Sequence, residues 1–438
     1  IQNQSVLYIA NGPEEEGRIL LDPNTLSKDG TTSLGSSSLA NDSKHMAFSL
    51  SHAGSDWSQI VVMDVETRAM LTDTVDWVKF SGISWFKDGF FYSAYSKPTG
   101  SAYSGKNEYH KIFYHKLGTS QAEDKLIYED KAHALRNFYC GTSHDEHFLI
   151  ISGSESTSGN SFAWKDLTKG IDAPINWVVN TFENDFEFID NEGDILFFKT
   201  NNMAPNSRIA TLDTKKPEGS LVEFIAARDY VLENASFAGQ FIVCQYLKDV
   251  ASMLVVFDKT GKEVATVNLP GLGIVGGYSA SIKSDSAYFT FENYTTAPSI
   301  YRHQLSTGNV ELVRKSTILF DGDAYETKQV FYTSADGTKI PMYITHKKGM
   351  QLTGHTPTFL YGYGGFNISV TPRFSPVNTV FLENCGVYAV ANLRGGGEYG
   401  EAWHAAGTKL NKQNVFNDFI AAAEYLIKEG YTDKDHLA

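Results

Sequence analysis

Residues 41–50 read Asn-Asp-Ser-Lys-His-Met-Ala-Phe-Ser-Leu, a polar turn followed by a run of strand-forming residues. Asn, Asp and Gly favour turns, whereas aromatic and β-branched residues favour strands. The same unit returns along the chain, with turn markers at Asp42, Asp88, Asp145, Glu192, Gly239 and Asp285. Successive markers are 46, 57, 47, 47 and 46 residues apart. The chain therefore contains a repeat.

Each marker precedes a predicted strand, at residues 45–50, 90–94, 147–151, 195–198, 241–246 and 287–291. Second strands are predicted at residues 60–63, 111–115, 208–212 and 253–257. A period of about 40–50 residues with four strands per unit is typical of the blades of a β-propeller. Six markers and a further unit within residues 1–28 predict seven blades, with an uncertainty of one. Two β-sandwiches with accidental spacing remain the alternative.

The pattern changes after Asp323. A hairpin is predicted over residues 329–344, followed by apolar strands at residues 358–361 and 387–391. Residues 414–430 predict an amphipathic helix that Asn414 caps and Gly430 ends. Its predicted apolar stripe contains Val415, Phe416, Phe419, Ala423 and Leu426. Strands that alternate with helices indicate an α/β layer, so we predict a β-propeller over residues 1–322 and an α/β domain over residues 323–438.

Composition and spacing exclude several classes of function. The net charge is −14 and no basic block is present, which argues against nucleic-acid and membrane partners. No apolar run approaches the roughly 18 residues of a membrane span. The three cysteines are far apart without a CxxC spacing, so we expect no metal and no cofactor. The acidic markers are interpreted as turn residues rather than metal ligands.

Two glycine-rich motifs carry a resemblance to a known family. Residues 359–369 read Phe-Leu-Tyr-Gly-Tyr-Gly-Gly-Phe-Asn-Ile-Ser, and residues 392–400 read Asn-Leu-Arg-Gly-Gly-Gly-Glu-Tyr-Gly. These motifs resemble the prolyl oligopeptidase family of serine peptidases. The similarity extends to residues 2–8, 21–24, 54–57, 336–342, 403–404 and 412–418.

The resemblance implies a seven-bladed β-propeller that caps an α/β-hydrolase domain, of which residues 323–438 would be the first part. It implies a serine endopeptidase that cleaves short peptides on the carboxyl side of proline with a Ser-His-Asp triad. We expect a monomer, in the cytoplasm or the periplasm.

Two site residues follow from the matched motif. Tyr363 matches the tyrosine whose phenol donates a hydrogen bond to the oxyanion, and Phe366 matches an aromatic wall of the proline pocket. Gly362, Gly364 and Gly365 are expected to shape the loop beneath the site.

Three further polar residues of the motifs are expected to be structural. Arg394 and Glu398 are interpreted as residues that fix loops, and His404 as a packing residue. The glycines at 395–397 lack the lysine and spacing of a nucleotide-binding loop.

The nucleophile motif G-x-S-x-G is absent from the 438 residues, and Gly-Tyr-Ser-Ala-Ser at 277–281 fails at its last position. We therefore expect the triad beyond residue 438, a chain that is cut at both ends, and no activity from the chain as given. A non-catalytic propeller that binds or scaffolds, with a vestigial hydrolase segment, is the alternative.

Overall fold

A computed structural model describes residues 3–98, 106–156, 158–216 and 221–438. The first two residues of the predicted repeat lie outside the described residues. The chain divides into one compact unit of residues 1–197 and 212–220 and a second of residues 198–211 and 221–438. The boundary that the sequence predicts after residue 322 stays a prediction.

Strands β1 to β9 form the first part of the repeat region. They are β1 (Leu7–Ile9), β2 (Arg18–Leu21), β3 (Ser33–Leu39), β4 (His45–Ser51), β5 (Ser58–Asp64), β6 (Met70–Phe86), β7 (Gly89–Ala94), β8 (Lys111–Lys116) and β9 (Lys125–Glu129). The pair β1-β2 forms a two-stranded sheet, and β3 to β9 form a seven-stranded sheet in sequence order.

Four sheets of four sequential antiparallel strands follow. The first two contain β10 (Asn137–Thr142), β11 (Phe148–Ser154), β12 (Ser161–Asp166), β13 (Asn176–Val179), β14 (Phe186–Glu192), β15 (Ile195–Thr200), β16 (Arg208–Asp213) and β17 (Val222–Ile225). The next two contain β18 (Val231–Ala238), β19 (Phe241–Lys248), β20 (Ala251–Asp258), β21 (Glu263–Thr266), β22 (Ile274–Ser279), β23 (Ser286–Glu292), β24 (Ser299–Gln304) and β25 (Asn309–Arg314).

Strand β6 accounts for the seven-stranded sheet. It has 17 residues, and its first half pairs with β5 while its second half pairs with β7. The register shifts between Val78 and Ile83, where the strand passes from one partner to the other. The seven-stranded sheet is therefore two repeat units joined through one long strand, and the described sheets amount to the seven units that the spacing predicts.

The turn markers join the first two strands of these units, which explains their regular spacing. Gly239, for example, lies with Gln240 in the two-residue turn between β18 and β19, where Ala238 pairs with Phe241. Its φ of +55° is accessible to glycine at little cost. The apolar strand that follows each marker is buried, so turn chemistry and burial recur together.

The last part of the chain forms a mixed sheet with helices. It contains β26 (Tyr325–Thr333), β27 (Lys339–Lys347), β28 (Thr358–Gly362), α1 (Pro376–Glu383), β29 (Val387–Ala391), α2 (Glu401–Ala405) and α3 (Gln413–Lys428). The strand order is β26-β27-β29-β28, and β28 runs parallel to β29. All five residues of β29 are buried, as expected for a strand inside a sheet covered on both faces. The predicted hairpin and both predicted apolar strands are confirmed.

The predicted details of the final helix were partly wrong. Helix α3 buries Val415 and Leu426 as expected, and Ala423 packs partly buried against the same core as the fully buried Ala422. Phe416 and Phe419, which were predicted in the apolar stripe, are 54% and 36% exposed. Asn414 lies inside the helix rather than at its cap, and its side chain donates to the Ala406 carbonyl. Gly430, with φ of +76°, follows the helix end as predicted.

The turn between β19 and β20 packs against the mixed sheet, within the second compact unit. Asp249 and Val250 are its two central residues, and the Asp249 carbonyl accepts hydrogen bonds from Gln329 and from the Tyr343 hydroxyl. Val250 is fully buried in a cluster that includes Tyr294. These contacts join a strand pair of the repeat region to the α/β sheet.

Among the described residues, no helix combines the length and apolar character needed to cross a bilayer.

Candidate active site

Two loops meet at the carboxyl ends of the parallel strands β28 and β29. We call residues 362–369, which follow β28, the glycine loop, and residues 392–398, which follow β29, the arginine loop. Because parallel strands end at the same edge of a sheet, their following loops become neighbours. The Asn367 amide donates to the Gly395 carbonyl at 3.2 Å, so the two loops are directly bonded.

Crowding makes glycine necessary at two positions of the glycine loop. A Cβ at Gly362 would lie 2.8 Å from the Leu393 side chain. A Cβ at Gly364, where φ is +60°, would lie 2.5 Å from Val415 and 2.9 Å from the Arg394 carbonyl. A Cβ at Gly365 would meet its nearest atoms at 3.8 Å, an ordinary contact. Crowding therefore supports the loop-shaping prediction at Gly362 and Gly364. No such crowding is present at Gly365.

The tip of the glycine loop is a tight turn with two left-handed residues. Phe366 has φ of +54° and Asn367 has φ of +57°, and the Ile368 amide donates to the Gly365 carbonyl across them. A bulky residue in this region of backbone space is an outlier that the surroundings must hold in place. The turn leaves the Phe366 ring 80% exposed, so the ring faces solvent rather than the core.

Tyr363 lies at the base of this turn, directly after β28. Its side chain is 44% exposed. Within the described parts of the chain, its hydroxyl has no hydrogen-bond partner, although Lys412 is nearby and donates to the Gly364 carbonyl at 2.7 Å. A phenol with a free O–H at the end of a strand is available to donate to a bound group.

A buried arginine anchors the arginine loop. Arg394 is 4% exposed, and its Nε and Nη2 bind the two carboxylate oxygens of Asp418 at 2.9 and 2.6 Å. Asp418 is fully buried and also accepts from the Ser334 hydroxyl at 2.6 Å. Arg394 Nη1 binds Asp336 at 2.5 Å. Planar bidentate pairs of this kind fix orientation as well as charge.

Electrostatics keep the Arg394 guanidinium and the Asp336 carboxylate charged. The hydrogen bonds that Arg394 donates to Asp418 raise the pKa of Arg394, and they outweigh the opposing effect of burial. The Arg394 hydrogen bond likewise holds the pKa of Asp336 well below its usual range. A guanidinium that stays ionised between two carboxylates is committed to structure, so Arg394 has no free donor for a substrate. This agrees with its expected role in fixing the loop.

Glu398 ends the arginine loop in a buried polar pair. Its Oε1 accepts from the Val370 amide at 3.0 Å and lies 3.5 Å from Asn392 Nδ2. Its Oε2 and Asn392 Oδ1 are both buried without a hydrogen-bond partner in the described structure. Burial raises the pKa of Glu398 against the opposing effect of these hydrogen bonds. The carboxyl therefore ties the exit of the glycine loop to the arginine loop, as predicted.

The short helix α2 covers the arginine loop. His404 Nδ1 lies 2.8 Å from the Gly395 carbonyl, and Trp403 Nε1 donates to the Leu393 carbonyl. The Gly395 amide in turn donates to the Trp403 carbonyl at 3.0 Å. These contacts support the structural role that the sequence predicts for His404.

Comparison with known proteins assigns the family. The model described as "Prolyl oligopeptidase, N-terminal beta-propeller domain" matches residues 1–316, and that of the "Prolyl oligopeptidase family" matches residues 372–438. The chain belongs to the prolyl oligopeptidase family. The predicted fold, a seven-bladed β-propeller and the first part of an α/β-hydrolase domain, is confirmed.

Relatives within the prolyl oligopeptidase family match all or nearly all of the chain. A prolyl endopeptidase of Elizabethkingia miricola is 44% identical over 443 residues, covering 100% of this chain and 62% of the relative. A prolyl endopeptidase of Dictyostelium discoideum is 36% identical over 95% of this chain and 62% of its own length. The chain thus spans about three fifths of these relatives.

Solved structures of the prolyl oligopeptidase family show the same fold. One, from a study of two prolyl endopeptidases and their inter-domain dynamics, has a TM-score of 0.90 at 35% identity over 99% of this chain and 64% of its own. Another, prolyl oligopeptidase B from Galerina marginata bound to a 25mer macrocyclization substrate, has a TM-score of 0.92 at 32% identity, over 100% of this chain and 65% of its own.

Proposed function

We propose that the full-length protein is a serine endopeptidase that cleaves short peptides on the carboxyl side of proline. The chain supplies part of the site, and the serine, aspartate and histidine of the triad are proposed to lie beyond residue 438. The observation that carries the proposal is the Tyr363 phenol, which is 44% exposed at the carboxyl end of β28 with its hydroxyl unpaired among the described residues.

Tyr363 is proposed to stabilise the oxyanion. When a serine hydroxyl attacks a peptide carbonyl, the carbonyl oxygen gains a negative charge in the tetrahedral intermediate. A phenol O–H aimed at that oxygen lowers the barrier because it is already positioned when the charge develops. The crowded glycines at 362 and 364 support this role, because they hold the loop against Leu393 and Val415 and limit its freedom.

Phe366 is proposed to line the pocket for the proline ring. Its 80% exposed ring offers an apolar face, and burial of a proline ring against it would release water at about 25 cal/mol per Å². The left-handed turn that presents the ring supports this role, since strained backbone of this kind concentrates at functional sites. Gly362, Gly364 and Gly365 are proposed to shape the loop.

The test uses the full-length protein and a short fluorogenic peptide with an internal proline. Tyr363→Phe removes only the hydroxyl, and we expect kcat to fall by about 10²–10³-fold with little change in KM. Tyr361→Phe, which removes another exposed tyrosine hydroxyl two residues earlier, is the matched control and should leave kcat within about twofold.

Two results would overturn the proposal. A Tyr363→Phe enzyme that retains kcat within a few-fold would remove the oxyanion role. Failure of the parent protein to cleave the proline peptide, or equal cleavage of a peptide with alanine in place of proline, would favour the scaffold alternative or a broader peptidase. The monomeric state and the compartment, cytoplasm or periplasm, stay predictions.

A further inference from the structure

Three side chains from two distant segments converge at the amino end of β28. His355 precedes this strand, while Asp433 and His436 follow helix α3. One potential metal-ligating atom from each residue lies within 4.8 Å of the other two. His436 Nδ1 is 2.6 Å from Asp433 Oδ1, and His355 Nδ1 contacts the other oxygen, Oδ2. Both imidazoles therefore face one carboxylate.

The backbone holds these residues in place. The Thr358 amide donates to the His436 carbonyl at 2.9 Å, and Thr358 pairs with Leu437 in a parallel bridge. The Asp435 amide donates to Asp433 Oδ1 at 2.9 Å, which fixes the carboxylate. The His436 position is thus set by the sheet edge, and the Asp433 position is set by its own turn.

Charge and exposure suit a cation. Asp433 contributes both carboxylate oxygens to the group, one towards each imidazole, and its side chain is 26% exposed. The nearest lysine in sequence, Lys434, is paired with Asp435 at 3.0 Å. The side chains of His355 and His436 are 69% and 43% exposed, which leaves an open side for water ligands.

The donor geometry can close around a zinc ion. Zinc binds imidazole nitrogen and carboxylate oxygen at about 2.0–2.2 Å, which places tetrahedral donors roughly 3.3 Å apart. The donor atoms all lie within 4.8 Å of one another, with His436 Nδ1 2.6 Å from Asp433 Oδ1, and the exposed rings can rotate to adjust these separations. Two imidazoles and a carboxylate form a ligand set that zinc and neighbouring first-row metals prefer.

From this convergence of His355, Asp433 and His436 we infer a binding site for a divalent transition metal, with Zn²⁺ as the expected ion. The metal replaces the two contacts between the imidazole nitrogens and the carboxylate oxygens. It clamps the loop before β28 to the segment that pairs with β28. Tyr363 lies past the other end of this five-residue strand, roughly 16 Å away at 3.3 Å per residue, so the role of the site is structural.

The site escaped the sequence pattern because its ligands are 78 residues apart. The short motif Asp433-x-x-His436 supplies only two ligands, and the third ligand is brought to it by the pairing of Thr358 with Leu437. Cysteine spacing, on which the expectation of no metal depended, carries no information about such a site.

The experiment is a titration of the full-length, tag-free and chelator-stripped protein with ZnCl₂ alone, followed by calorimetry. We expect one saturable site that involves these residues, and a rise in the thermal unfolding midpoint on zinc addition. His355→Gln and Asp433→Asn should each weaken zinc binding by at least roughly 10–100-fold and should abolish the rise.

His133→Gln is the matched control. His133 is also exposed, and its Nδ1 lies 2.9 Å from Oδ2 of Asp130, three residues earlier. Among the described residues, this pair is not joined by a second histidine that could complete a metal site. This variant should bind zinc as the parent does. Absence of saturable binding, or equal affinity in the parent and the His355→Gln variant, would overturn the inference; circular dichroism of each variant confirms that it is folded.

Discussion

Two tight turns in the second compact unit share an uncommon backbone conformation but differ in the burial of their side chains. Asp249 and Val250 have φ of +47° and +64°, and Phe366 and Asn367 have φ of +54° and +57°. Neither turn contains glycine at its centre, although left-handed backbone costs other residues about 1–2 kcal/mol each. Val250 is fully buried, whereas Phe366 is 80% exposed.

The buried turn is held by its own side chains. Val250 packs in the tyrosine cluster that includes Tyr343 and Tyr388, and the Asp249 carboxylate accepts from the Tyr399 hydroxyl at 3.1 Å. Burial of a valine side chain contributes about 1.5–3 kcal/mol, which offsets the backbone strain locally. The strain and its compensation therefore involve the same residues.

The exposed turn is held by contacts with the arginine loop. The Phe366 ring has little contact with the core, and the turn instead depends on the Asn367 amide, which donates to Gly395, and on the arginine loop beneath it. The Phe366 side chain does not offset the backbone strain of this turn through burial. Uncompensated backbone strain of this kind is expected where a side chain serves a ligand. The difference teaches that similar backbone strain can serve packing at one turn and presentation at another.

The largest expected effect comes from removing the Arg394–Asp418 ion pair, which supports the exposed turn. Arg394→Met leaves the buried Asp418 carboxylate without its cation, and we expect a loss of about 3–5 kcal/mol in the free energy of unfolding. Hydrogen exchange should rise in residues 363–370 and stay unchanged in residues 246–254. The measurement is urea unfolding with exchange mass spectrometry.

Asp336→Asn is the control for this variant. Asp336 binds the same guanidinium, but its side chain is 46% exposed, so its loss should cost no more than about 1 kcal/mol. Equal losses for the two variants would show that burial of Asp418 does not determine the effect.

A matched pair of glycine substitutions tests the comparison directly. Val250→Gly relieves strain but loses buried surface, and we expect a net loss of about 2 kcal/mol. Phe366→Gly relieves the same kind of strain without loss of burial, and we expect a gain of about 0.5–1 kcal/mol together with a raised KM for proline peptides. Thermal unfolding measures both; the same sign for both variants would contradict the proposed difference between the turns.

The smallest expected effect concerns pH. The folded pKa of Glu398 is raised above the unfolded value of about 4.3. The contribution of Glu398 to stability therefore falls as pH rises from about 4.3 through the folded pKa. Glu398→Gln removes that dependence and offers an amide donor near the unpaired Asn392 oxygen. The variant should be more stable than the parent at pH 7, and the difference should shrink as pH falls toward the unfolded value of about 4.3.

Glu424→Gln, on the exposed face of α3, is the control and should show no such convergence. A stability difference for Glu398→Gln that stays constant between pH 7 and about 4.3 would contradict the role assigned to its buried carboxyl.

Prediction from sequence succeeded where signals are local. The turn markers, the strands after them and the two apolar strands of the mixed sheet were confirmed because turn preference and burial pattern depend on near neighbours. The predicted stripe of α3 was wrong at Phe416 and Phe419, since helical periodicity indicates an apolar face but not which side of it a sheet covers. The roles of Tyr363 and Phe366 came from a motif and stay proposals.

The amino-acid order alone determined the repeat, the hairpin and the two apolar strands of the mixed sheet, and the glycine motif of the family. Only the tertiary structure decided that Arg394 pairs with Asp418, that Val250 fills a tyrosine cluster, and that His355 meets Asp433 and His436. The physical reason is that turns and strands follow from sterics and burial along the chain. Ion pairs, packing and ligand clusters instead depend on which strand ends the sheet brings together.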